Sequence, residues 1–178
     1  MKIGITGHTS GLGEAIYNIL NDTEVKGFSR NNGYDITTPQ SIIDEIENYD
    51  IFINNAYSGF SQVNILYDLY EKWKNEDKKI INISSNSSDG IKTKSHIYAI
   101  HKSALDKASE QLHYDKGVCK VINVRPGWID TPRVKHITAT KMNSYTLGRF
   151  IVDLIYNDLN IKEITINVWY IINKFWYL

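Results

Sequence analysis

Three times in this chain a tyrosine stands four residues before a lysine: Tyr70 and Lys74, Tyr98 and Lys102, Tyr170 and Lys174. On a helix that spacing puts both side chains on one face, one turn apart. A phenol beside an ammonium can pass a proton to or from an oxygen atom. Free tyrosine, with a pKa of about 10, is a sluggish acid or base near neutrality. A neighbouring positive charge favours the phenolate and brings it toward the working range. In a chain with 12 tyrosines the pattern alone selects nothing, but its context does. Only Tyr98 and Lys102 follow a β-type run ending in Ser84-Ser85, open a helical segment and lead through a further β-type run to Pro126-Gly127. Tyr70 reads as a packing residue whose Lys74 stays in water.

A second cluster with chemical meaning lies near the start. The run 2–6 leads into Thr6-Gly7-His8-Thr9-Ser10-Gly11-Leu12-Gly13, where a helical pattern begins. Glycines let the backbone turn tightly and approach a pyrophosphate, and the helix N-terminus offers unpaired N–H groups at its positive end. Gly7, Thr9, Ser10, Gly11, Leu12 and Gly13 are therefore candidate phosphate contacts, while His8 reads as an exposed loop side chain. The second β-type run ends in Ser29 and Arg30, with no carboxylate before Asp35. An acid at that place binds the ribose 2′-hydroxyl of NAD, whereas a basic fork fits the 2′-phosphate of NADP. NADP(H) is thus preferred, and NAD(H) stays possible.

The elements that must position these groups follow from periodicity. Short β-branched runs at 2–6, 24–29, 50–54, 78–84, 119–124 and 163–168 alternate with helical patterns at 11–21, 39–49, 63–75, 97–114 and 144–157. Such alternation marks βαβ units. The helical segments carry apolar residues at i, i+3, i+4, including Leu12, Ile16, Ile19 and Leu20, and Ile97, Ile100, Leu105, Ala108 and Leu112, which predicts one buried face each. The predicted fold is α/β: a Rossmann-type doubly wound parallel sheet of about six or seven strands in three layers. One domain spans 1–178, with a short loop at about 128–143 and an aromatic tail from Trp169 to Leu178 that packs on its own core or on another subunit.

The glycines at 7, 11 and 13 form Thr-Gly-x-x-x-Gly-x-Gly, which resembles the short-chain dehydrogenase/reductase family. Asn54-Asn55-Ala56, Asn82-Ile83-Ser84-Ser85, Tyr98-Ala99-Ile100-His101-Lys102 and Arg125-Pro126-Gly127-Trp128-Ile129-Asp130-Thr131 extend the resemblance in the family's order, over residues 3 to about 131. Ser85 stands thirteen residues before Tyr98, the family's spacing. The resemblance implies an NADP(H)-dependent oxidoreductase that interconverts a small carbonyl compound and its alcohol by hydride transfer. Tyr98 would be the general acid/base, Lys102 would also bind the nicotinamide ribose, and Ser85 would hold the substrate oxygen, with Ser84 as the alternative one residue earlier. Asp35 and Ile36 match the pair that contacts adenine. Asn55, Ala56, Pro126, Gly127, Ile129 and Thr131 fall on cofactor-contacting motifs. Asn64 is the candidate for the family's relay asparagine, although its interval to Ser85 is short. No metal site is implied.

Two departures stand out. The stretch between Arg30 and Asp35 has no room for the helix that normally follows the second strand, so a helix and most of an edge strand are missing. The family's Asn-Ala-Gly turn reads Asn55-Ala56-Tyr57 here. Tyrosine resists the positive φ that glycine allows, so the turn is rearranged or Tyr57 covers the cofactor. These departures keep open a second reading, a cofactor-binding regulator with weak or no turnover. An extended nucleotide-sugar enzyme needs a larger C-terminal region and is disfavoured.

Composition bounds the rest. Twenty basic and 20 acidic side chains give a formal net charge of +0, so no global field draws nucleic acid or an anionic membrane. The single Cys119 cannot form an intramolecular disulfide and reads as apolar filling. With no signal-type start and no apolar run of about 20 residues, the expected location is cytoplasmic. After Gly127 the short segment 130–143 carries Arg133, Lys135, His136 and Lys141, with Lys92, Lys94 and His96 nearby in sequence. That basic character fits either an anionic carbonyl substrate or a solvated surface loop. Trp128 lines a pocket or fills the core. A homodimer or homotetramer, through the Tyr98-bearing helix or the C-terminal tail, is expected from the resemblance and the aromatics.

Overall fold

A computed structural model of the chain describes residues 1–21, 23–90 and 95–168. Six strands form one parallel sheet: β1 (Lys2–Thr6), β2 (Glu24–Phe28), β3 (Ile51–Asn54), β4 (Lys79–Ile83), β5 (Lys120–Pro126) and β6 (Glu163–Ile166). Their spatial order is β2-β1-β3-β4-β5-β6. Between them run α1 (Gly11–Ile19), α2 (Gln40–Ile46), α3 (Ser61–Trp73), α4 (Ile97–His113) and α5 (Ser144–Ile155).

The central strands are apolar at consecutive positions because both sheet faces are covered. Side chains alternate between two cores. Ile3, Ile5, Ile53, Ile81, Ile122 and Val124 meet Leu12 and Ile16 of α1 and Leu147 and Ile151 of α5 on one face. Phe28, Phe52, Ile80 and Val121 meet Ile42 of α2, Leu66, Leu69 and Trp73 of α3, and Leu105 and Leu112 of α4 on the other. This is the three-layer arrangement predicted, with six strands.

The chain leaves β1 in one direction to reach β2 and returns to β3 on the other side. Ligands in open parallel sheets bind beyond the strand C-termini at such a reversal, here between the ends of β1 and β3. After β2 the chain makes a 3₁₀ turn at Arg30–Asn32 and the short α2 before β3, so β2 is the sheet's edge. The truncation read from the sequence is therefore present.

Some details correct the sequence reading. Ile97 and Ile100 are 61% and 58% exposed rather than buried. The inner side of α4's first turn is taken by Ala99 and Lys102, which leaves positions 97 and 100 outward. Cys119 is buried as expected, and burial pushes its thiol pKa up to about 12. The tail at 169–178 and Lys92 and Lys94 lie outside the described residues. No helix among the described residues is long and apolar enough to cross a membrane.

Candidate active site

The crevice is built on the loop after β1. Gly7 and Gly11 have φ of +73° and +60°, a left-handed backbone that side chains resist. A Cβ on Gly13 would overlap the Gly7 carbonyl oxygen, so α1 starts directly against the loop. Ser10 is the α1 N-cap without a side-chain capping bond, so it leaves first-turn amides open to a ligand. The Thr6 hydroxyl accepts from the amides of Asn55 and Ala56, both at 3.0 Å, and Asn55 Nδ2 donates to the Thr6 carbonyl at 2.9 Å. These bonds fix the ends of β1 and β3 together. His8 is not an exposed loop residue: its half-buried ring lies on Gly27, where any side chain would collide with it, and against Tyr17 at 4.9 Å.

Opposite the loop, the N-terminal turn of α4 delivers Tyr98 and Lys102. Lys102 is 3% exposed, and its Nζ donates to Gln62 Oε1 and to the Ile83 carbonyl, both at 2.7 Å. Burial, reinforced by the Arg133 charge, brings its pKa down to about 7 against the pull of Asp106. Tyr98 is moved the other way. Burial raises its pKa above the ordinary value, partly offset by the Ser85 hydroxyl and the Arg133 charge. The sequence reading made Lys102 the cation that lowers the phenol; its Nζ stands 5.6 Å from the Tyr98 ring centre, and in the chain alone burial outweighs the lowering influences, among them the Arg133 charge.

The two serines make different contacts. Ser84 is buried, donates to Asp106 and lines the cleft beside Tyr98 and Lys102. Ser85 caps the following 3₁₀ turn, accepting from the Ser87 amide at 3.2 Å, and is the serine that acts on Tyr98. Arg125 holds this corner from below. Its guanidinium pairs with Asp106 at 3.1 Å, Glu163 at 2.8 Å and Asp89, and donates to Ser88 Oγ at 3.0 Å.

The loop, Tyr98, Lys102 and the Pro126-Gly127 segment enclose a cleft of about 470 Å³. Gly127 N–H donates to the Ile166 carbonyl at 2.8 Å, and Ile129 bridges to Met142, which holds the descending segment over the cleft. Thr131 reaches the opposite wall, since a Cβ on Gly11 would stand 2.9 Å from its methyl group. Trp128 lines the cleft and is exposed, not core. An adjoining cavity of about 280 Å³ is lined by Thr9, Ser29, Arg30, Asp35 and Ile36. There the Ser29 hydroxyl is tied to Asn32 Oδ1 at 3.2 Å, and Asp35 accepts from the backbone and hydroxyl of Thr37, which holds its carboxyl below the ordinary range. Arg30 lines both spaces.

With this geometry the chain resembles solved dehydrogenases. A short chain dehydrogenase from Burkholderia cenocepacia in complex with NADP superposes with a TM-score of 0.81 at 18% identity, covering 94% of this chain and 90% of that one. A small-chain dehydrogenase in complex with NADPH gives 0.75 at 17%, covering 94% and 96%. The 3-alpha-hydroxysteroid dehydrogenase from a Pseudomonas species, complexed with NADH, gives 0.75 at 15%, covering 94% and 95%. The chain has the short-chain dehydrogenase fold. No protein-family model and no curated protein sequence matches it.

Within the short-chain dehydrogenase fold one site residue differs from the sequence reading, and a second settles an alternative that it left open. Asn64 is exposed on α3 and does not reach the site. Gln62, two residues earlier and so about 200° around the helix, is the inward amide. It is 3% exposed, accepts from Lys102, and donates to the carbonyls of Asn54 at 2.7 Å and Ile83 at 3.2 Å. Tyr57, at the place of the expected glycine, needs no positive φ; among the described residues only glycines take one. Its ring stands edge-on to Tyr98 at 4.8 Å, and its hydroxyl meets His101 Nδ1 at 2.8 Å. Tyr57 thus walls the cleft beside the phenol.

Proposed function

We propose that this chain is an oxidoreductase of the short-chain dehydrogenase kind, using NADP(H) to interconvert a small carbonyl compound and its alcohol. The observation that carries the reading is the meeting, in one cleft, of the glycine loop with Tyr98 and Lys102. The residues fit a dinucleotide. Left-handed glycines and an uncapped helix start face the larger space, and no carboxylate lines it. Arg30 and Ser29 would hold the 2′-phosphate on the adenosine side, with Asp35 and Ile36 beside the adenine. Asn55, Ala56, Pro126, Gly127, Ile129 and Thr131 would hold the nicotinamide half. Bound there, the cofactor supplies or accepts a hydride at the substrate carbon.

The chain's own groups handle the proton. Tyr98, whose pKa burial raises above the ordinary tyrosine value, is in the protonated form that donates to a carbonyl oxygen; in the reverse direction its phenolate takes that proton back. Ser85 orients the same oxygen and stabilises charge developing on it. Lys102, fixed by Gln62 and Ile83, would use its remaining donor on a ribose hydroxyl and, when charged, would favour the phenolate. Tyr57 and Trp128 wall the cleft beside these groups. Self-association through α4 belongs to the same reading and is supported by exposed Ile97 and Ile100.

Thermal-shift titration with NADPH and NADH, followed by a carbonyl panel on the wild type and Tyr98→Phe, tests this. NADPH should stabilise more than NADH, and turnover should collapse in Tyr98→Phe. The second reading, a cofactor-binding regulator, is favoured by one observation: both bonds of Lys102 run inward to Gln62 and Ile83. Stabilisation by NADPH with no turnover on any carbonyl would select it.

A further inference from the structure

We propose that Arg133 is the substrate's anion receptor and that the carbonyl compound this cleft accepts is a short oxo acid. The inference rests on the oxidoreductase reading and adds the substrate class to it.

Arg133 sits in a 3₁₀ turn, Pro132–Val134, closed by the Val134 amide on the Thr131 carbonyl at 3.1 Å. Pro132 fixes φ at the first position of that turn. The guanidinium carbon is thereby held 5.1 Å from the centre of the Tyr57 ring and 5.9 Å from that of Tyr98. The two rings, edge to face at 4.8 Å, give it an aromatic platform. A guanidinium placed this way keeps donors free for a planar carboxylate, which it grips through two parallel N–H bonds.

The contrast with Arg125 gives the placement its meaning. Arg125 is ion-paired with three carboxylates, and Arg133 has no ion-pair partner among the described residues. The three cations lining the larger cleft also occupy different stations. Arg30 is shared with the adenosine-side cavity, and Lys102 is committed to Gln62 and Ile83 at depth. Arg133 is left at the Tyr98 end, where no Asp or Glu lines the wall. A carbonyl oxygen on Tyr98 and a carboxylate on Arg133 can be satisfied together only when few atoms separate them, hence a short oxo acid. The bound carboxylate would also offset the Arg133 charge that lowers the phenol's pKa, keeping Tyr98 in its proton-donating form. Exposed Lys135 and His136 on the same loop would add to the attraction of an anion toward the cleft.

The test uses the full chain loaded with NADP⁺ and calorimetric titration with pyruvate, acetoacetate and levulinate, each against its methyl ester. Wild type, Arg133→Met and Arg133→Lys are compared, NADPH affinity is measured by fluorescence, and acid-to-ester ratios of kcat/KM are taken where turnover occurs. At least one acid should bind the wild type about tenfold more tightly than its ester or better. That preference should vanish in Arg133→Met and return in part in Arg133→Lys, with NADPH affinity unchanged within about twofold. Equal binding of acid and ester by the wild type, or a preference that survives Arg133→Met, overturns the proposal. So does a large loss of NADPH affinity in Arg133→Met with the ratio intact, which would make Arg133 a cofactor ligand. Should neither nucleotide bind, the oxidoreductase reading falls, and the same titration on the cofactor-free chain still decides the anion site.

Discussion

Tyr98 with Lys102 and Tyr70 with Lys74 share a spacing, and the fold uses them in opposite ways. In the first pair the lysine is buried and the tyrosine faces a cleft. In the second Tyr70 is fully buried against α4 and β5, burial pushes its hydroxyl up to about 12, and Lys74 lies at the surface beside Glu71 at 2.8 Å. The difference comes from position along the helix. Tyr98 opens α4 at the C-terminal edge of the sheet, where a parallel sheet leaves its crevice, whereas Tyr70 lies in the last turn of α3, at the opposite edge, where the Gly117 segment leading into β5 packs on its hydroxyl. Spacing puts two groups on one face; the register of the helix on the sheet decides whether that face meets solvent, ligand or core.

The comparison can be broken most forcefully at the hydroxyls. Tyr98→Phe should lower turnover by about 10²–10⁴-fold, the usual worth of a positioned acid/base, while Tyr70→Phe leaves turnover within about twofold. Steady-state NADPH oxidation reads both. Removing the rings reverses the ranking. Tyr70→Ala should cost about 3–5 kcal/mol of unfolding free energy in denaturant titration, and Tyr98→Ala, which empties part of an open cleft, clearly less.

The lysines sharpen the contrast through pH. The Lys102 pKa is near 7 in the fold against 10.5 for the ordinary side chain. Below about pH 7 both folded and unfolded chains hold the proton, and the cost of burying the ammonium is fully present. As pH rises from 7 toward 10.5 the unfolded chain binds more protons than the native one, so stability relative to Lys102→Met should climb across that window. Lys74 is shifted the other way, upward, by Glu71; its contribution is present at neutral pH and is lost only above the ordinary lysine range. Chemical denaturation of Lys74→Met should therefore follow the wild-type curve between about pH 6 and 9, as screening keeps an exposed pair weak. A smaller effect separates the amides of α3. Gln62→Ala should cost about 1–3 kcal/mol by leaving buried partners unpaired, and Asn64→Ala should stay within about 0.5 kcal/mol.

Much of this architecture was legible in the sequence. The β1 loop announced itself because a left-handed turn and a close helix start demand glycine at positions 7, 11 and 13. The truncation after β2 was a matter of counting residues. Tyr98 was separable from Tyr70 through order along the chain. What stayed hidden depended on rotation and depth. Gln62 and Asn64 are chemically similar amides two residues apart, and only the phase of α3 on the sheet decides which one turns inward. Tyr57 left two outcomes open, a rearranged turn or a ring over the cofactor; the backbone passes that point without positive φ, and the ring lines the cleft. Ile97 and Ile100 carry the apolar period of α4, yet the inner face of the first turn belongs to Ala99 and Lys102. Arg133 was one basic residue among several, and its distinction lies in the aromatic platform beneath it and the missing partner carboxylate.

A phenol, an amine and a dinucleotide must share one crevice for this chemistry, and a crystal structure with NADP⁺ tests that most directly. The pyrophosphate should lie on the Gly7–Gly13 loop, the Lys102 ammonium on the nicotinamide ribose at about 2.7–3.2 Å, and the nicotinamide ring beside the Tyr98 hydroxyl. A nucleotide bound elsewhere, or a ring turned away from Tyr98 with Lys102 still bonded only to Gln62 and Ile83, would contradict it.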